Sequence, residues 1–101
     1  MTLKEAIRKV SKSNIQNAIS EIERDGVPKK RISRRWCLKC GERSYPPKYV
    51  LALAVKDATH MTLPPSAHAG GKHTNALLLK VLDGDKRFEI SPCVVNNVRA
   101  V

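Results

Sequence analysis

A chain of 101 residues suits one folded domain and excludes a second, because globular domains cluster near about 100 to 150 residues. Apolar residues make up 42% of it and Gly and Pro number only 5 and 6, which excludes a chain disordered throughout although 28% of residues are charged. Nineteen Lys and Arg against nine Asp and Glu leave a net charge of +10, a field that draws in polyanions over roughly 8 Å at physiological salt and disfavours cationic partners.

Anionic membrane is the weakest of the polyanion choices. The longest apolar run, residues 49–55, is too short to span a bilayer, and the basic cluster lies on no amphipathic helix with bulky apolar anchors. The first residues, Met1-Thr2-Leu3-Lys4-Glu5, do not resemble a signal peptide, so the expected location is cytoplasmic. Cys37, Cys40 and Cys93 are few and odd in number, which argues against a secreted disulfide framework and for reduced thiols.

The elements follow from periodicity. Leu3, Ala6, Ile7 and Val10 repeat at helical spacing, so residues 1–12 form an extension or a short helix that breaks at Ser11-Lys12-Ser13. Ile15, Ala18, Ile19 and Ile22 make one apolar stripe and predict a helix over residues 13–24, with Ser13 and Gln16 as a capping box and Gly26 as the terminating residue. Residues 27–35 read Val-Pro-Lys-Lys-Arg-Ile-Ser-Arg-Arg, a basic loop. Trp36-Cys37-Leu38-Lys39-Cys40, a turn at Gly41-Glu42-Arg43 and Ser44-Tyr45 predict a hairpin.

Pro46-Pro47 opens a second helix that is apolar on most sides through Val55, and is therefore central. Residues 60–69 form a connector. Gly70-Gly71-Lys72-His73-Thr74-Asn75 leads into a Leu-rich third helix capped near Thr74 and closed by Gly84. Arg87-Phe88-Glu89-Ile90 alternates as a last strand, and residues 91–101 are a tail. The fold class expected is α+β: about three helices packed on a small antiparallel sheet made of the hairpin and the last strand, winged-helix-like in arrangement, with residues 13–90 as the domain.

The order of these pieces, above all Tyr45-Pro46-Pro47-Lys48-Tyr49-Val50-Leu51-Ala52-Leu53-Ala54 followed by Gly70-Gly71-Lys72-His73-Thr74-Asn75 and the Leu-rich helix, resembles the N-terminal head domain of McrA-like, modification-dependent HNH restriction endonucleases. The likeness covers roughly residues 13 to 90. It departs at His68-Ala69, where the family pattern has an aromatic before the Gly pair, and in the longer turn at Asp83-Gly84-Asp85-Lys86-Arg87-Phe88. The chain has no HNH module with its metal-binding histidines. The resemblance therefore implies a DNA-engaging domain standing alone and transfers no cleavage activity.

Read from the residues themselves, the candidate contact surface begins with Lys29, Lys30, Arg31, Arg34, Arg35, Lys39, Arg43 and Lys48, where cations can neutralise phosphates while Tyr45 approaches a base. A solvated loop that only aids solubility is the bland alternative. Gly71, Lys72, His73 and Asn75 at a helix start offer backbone N–H groups, the positive end of the helix dipole and a lysine, enough for one phosphate contact but without the spacing of a nucleotide-hydrolysing loop. Cys37-x-x-Cys40 has zinc-ligand spacing, with His60, His68, His73 or Cys93 to complete a set, but no second pair stands at a regular distance, and strand alternation would put the two thiols on opposite faces.

No nucleophile with a base, no paired carboxylates and no open metal site stand out, so neither catalytic residues nor a cofactor are assigned. The expected function is DNA binding; the resemblance to the McrA-like head domains is what implies modified duplex DNA as the ligand, a restriction or phage-defence setting, and a nuclease or other protein as companion. The alternatives are a protein-interaction module whose basic face docks an acidic partner, and an RNA-binding protein.

Overall fold

The computed structural model describes residues 3–29, 36–62 and 72–92. Two helices lead the chain: α1 (Leu3–Arg8) and α2 (Lys12–Asp25). The short helix that was one of the two expectations for residues 1–12 is present, and Ala6 within it and Val10 just after it are buried in the core. The cap of α2 lies two residues before its expected place. Ser11 Oγ accepts from the Asn14 N–H at 3.4 Å while the Ser11 N–H donates to Asn14 Oδ1 at 2.8 Å. Asn14 thus supplies the returning side chain assigned to Gln16, and the earlier start brings Lys12 into the first turn, where it pairs with Asp85. The stripe is as expected: Ile15, Ala18 and Ile22 are buried. Gly26, at φ 80°, stops the helix with its N–H on Ile22 O at 2.7 Å, a conformation that costs a side-chain-bearing residue more than glycine.

Strands β1 (Trp36–Cys40) and β2 (Arg43–Tyr45) form the expected hairpin, with Arg43 in the strand and not in the turn. Helix α3 (Pro47–Thr59) opens with proline in its first turn, where the missing N–H costs nothing, and closes at His60 in the left-handed region at φ 64°. It is the centre of the molecule: Val50, Leu51, Ala54 and Val55 are fully buried, and the helix packs against α1, α2 and β1. Helix α4 (Lys72–Leu82) also packs on it. Thr74 is fully buried within α4, so the helix starts before the residue expected to cap it.

The last strand, β3 (Phe88–Pro92), runs two residues past Ile90. It pairs antiparallel with β1, opposite to β2, and gives a three-stranded sheet of order β2-β1-β3. With four helices among the described residues, the fold is α+β. Register places Leu38 between Tyr45 and Ile90, and Cys40 between Arg43 and Phe88. Leu38, Tyr45 and Phe88 join the helices in one core, with Ile90 packed against it. Strand alternation turns Cys37, Lys39 and Ser44 to the other face.

Asp85 ties the two ends of the described chain together. Its side chain, 8% exposed, pairs with Lys12 and with Arg87, and accepts the Arg87 N–H at 2.9 Å. Arg87 first, then Lys12, holds its carboxyl well below the usual carboxylate range. A depressed folded-state pKa means stability that is present above the unfolded value, near 3.9, and is lost as pH falls below it. Asp57, held low by the amides of Asn17 and Asn14, acts in the same direction. Urea unfolding midpoints are expected to hold down to about pH 4 and to decline below it. The gap between the native chain and Asp85→Asn should close over that acid limb, and a gap constant with pH would remove Asp85 from this role.

Candidate nucleic-acid interface

Helix α2 and strand β1 hold the two ends of the basic connection. At its near end Val27 is buried, while Pro28 and Lys29 are exposed. At its far end Trp36 is half-buried at the start of the central strand. Lys30, Arg31, Arg34 and Arg35 lie outside the described residues. Lys39 is half-buried on β1, opposite Ser44 on one side and Glu89 on the other. Neither Lys29 nor Lys39 forms an ion pair among the described residues; those pairs engage Lys12, Arg24, Arg43 and Arg87. Lys48 is half-buried in the first turn of α3.

Two expected contacts are spoken for by the fold. Tyr45 is only 5% exposed, with its ring in the core and its hydroxyl donating to Glu23 Oε1 at 2.5 Å. Burial first, then the Glu23 bond, pushes its phenol well above the ordinary value. A ring so placed has no face to offer a base, which corrects its assignment as a base-contacting aromatic. Arg43 remains exposed but donates Nη1 to Glu23 Oε2. Glu23 is the residue that the sequence concealed: it stands 20 and 22 residues from its partners, with no motif joining them.

At the second expected contact, Lys72 and His73 lie in the first turn of α4, and Gly71 lies outside the described residues. Asn75 is only 9% exposed, so it offers little surface to the ligand contact expected of it.

The cysteines also differ from expectation. Cys37 is buried and disulfide-bonded, and Cys40 is a free, half-buried thiol on the opposite face of β1. That corrects the reading of Cys37 as a reduced thiol and leaves it unable to share a zinc ion with Cys40. Among the described residues, no group of three or more His, Cys, Asp and Glu is placed to hold a metal. A surface cleft of about 230 Å³ between α2 and α3 carries Glu21, Lys56, Asp57 and His60 over Ala18 and Leu53. Asp57 Oδ2 there accepts from the amides of Asn14 at 2.7 Å and Asn17 at 3.0 Å, which keeps the carboxylate charged and the cleft a poor host for phosphate.

These features define a small α+β domain whose central hairpin is entered through a strongly basic connection. No family model, curated protein or solved structure matches the chain. None of the described helices is long and apolar enough to cross a membrane.

Proposed function

We propose that this chain is a DNA-binding domain that grips the phosphate backbone of duplex DNA with the basic connection between α2 and β1. One observation carries the proposal: five of the seven residues at positions 29–35 are basic and none is acidic, while the described fold spends Lys12, Arg24, Arg43 and Arg87 on its own ion pairs. A run of that density faces a large repulsion in isolation, and a polyanion relieves it by exchanging condensed counterions for fixed cations.

The likeness to the head domains of McrA-like endonucleases is what directs the proposal to modified duplex DNA, to a restriction or phage-defence setting, and to a non-enzymatic role with any cleavage supplied by a partner; the cytoplasmic setting rests on the first residues, which do not resemble a signal peptide. A helix followed by a hairpin is consistent with winged-helix-like docking. The test is a salt titration of binding to modified duplex, unmodified duplex, single strands and RNA of equal length. Affinity for duplex is expected to fall linearly on logarithmic axes, by about 0.9 units per phosphate contacted. A salt-insensitive response would assign the positive surface to an acidic protein partner, and a preference for the RNA would replace the proposed ligand.

A further inference from the structure

We propose that Glu23 is an intramolecular competitor for phosphate, holding Arg43 in reserve so that a nucleic-acid backbone must displace a carboxylate before this guanidinium joins the contact surface; the proposal rests on the nucleic-acid reading above. Arg43 opens β2 with its side chain 61% exposed, in the place where a phosphate contact was expected, and yet its Nη1 is bonded to Glu23 Oε2. The other carboxylate oxygen, Oε1, accepts the Tyr45 hydroxyl at 2.5 Å. That second bond fixes the competitor. Tyr45 is anchored in the core, so withdrawing Glu23 would leave a largely desolvated phenol without its acceptor.

Carboxylate and phosphate present oxygens of like geometry to a guanidinium, so the two compete for the same donors. An ion pair this exposed contributes little to stability, which makes it exchangeable. The two residues also come from elements on either side of the basic connection, α2 before it and β2 after it. Arg43 thus adds less to binding than an unpaired arginine at the same place, and Glu23 sets the difference.

The experiment compares the full chain with Glu23→Gln, Arg43→Gln, the double variant and Asp83→Asn in salt-titrated binding to one duplex. Glutamine keeps an oxygen for the Tyr45 hydroxyl and removes the charge. Phosphate displaces Glu23 from Arg43 in only a fraction of the native complexes, so Glu23→Gln is expected to tighten binding several-fold and to steepen the salt slope by up to about 0.9, the worth of one phosphate. Arg43→Gln alone should shift affinity by less, and the double variant should show no steepening over the native slope. Asp83→Asn makes the same charge change at an exposed residue between α4 and β3, and should not steepen the slope.

If the native chain binds with a salt dependence but Glu23→Gln behaves as Asp83→Asn does, or its gain survives in the double variant, the competition is disproved. If the native chain shows no salt-dependent binding to duplex, the nucleic-acid reading itself fails. A readout free of substitutions guards against a variant that does not fold. The guanidinium resonance of Arg43 in the native chain should move on saturation with duplex, and an unmoved resonance overturns the exchange.

Discussion

Leu51→Ala is expected to destabilise the protein by about 3 kcal/mol, a loss of the size that a fully buried leucine brings. Leu51 is fully buried in α3, the helix that meets α1, α2, α4 and β1, so no one neighbour can move in without leaving another. The loss combines the transfer of the deleted carbons with a cavity that a many-sided contact relaxes poorly. Against a total stability of roughly 5 to 15 kcal/mol, this is a large fraction. For a domain of this length it corresponds to a fall in Tm on the order of 15 °C. Leu79→Ala is the matched comparison: the same deletion at a residue 46% exposed should change stability by less than about 1 kcal/mol. Urea and thermal unfolding of both variants give the answer. Equal losses would mean that α3 is not the centre of the core.

The all-round apolarity that makes Leu51 costly was itself readable, since Val50, Leu51, Leu53, Ala54 and Val55 leave no polar stripe and Pro46-Pro47 marks the start of the helix. The stripe on α2 and its stop at Gly26 were equally plain. Local ambiguity lay where two residues offered the same chemistry. Ser11 and Ser13 are both capable caps, and the earlier one is favoured by its box with Asn14 and by the long-range pairing of Lys12 with Asp85 and of Asn14 with Asp57. Thr74 has the side chain of a cap, but in the fold it is buried inside α4. The hairpin was legible from its turn, whereas the position of β1 between β2 and β3 depends on contacts some fifty residues apart. The same limit governs the site. Charge density along the α2–β1 connection is a property of the sequence, but the engagement of Arg43 and Tyr45 by Glu23 arises only when helix and hairpin meet.

Replacing Lys30, Arg31, Arg34 and Arg35 together by glutamine is expected to lower duplex affinity at moderate salt on the order of a hundredfold or more, and to flatten the salt slope by up to about 3.6 units if each cation neutralises one phosphate. The four substitutions remove four of the ten net positive charges. The slope is the more telling readout, because a loss of affinity alone would follow from any damage to the fold, whereas the slope counts the counterions released. Matched far-UV spectra and unfolding midpoints for variant and native chain separate the two. Native affinity and slope in the variant would take the connection out of the interface and shift attention to Lys39, Lys48 and the start of α4. Within the run, Arg34→Ala with Arg35→Ala distinguishes two kinds of contact. Uniform weakening on every duplex means that both arginines hold the backbone, whereas weakening confined to modified duplex, or to one sequence, means that an arginine reads a base edge in a groove. Only that second outcome would make this connection the source of discrimination as well as of grip.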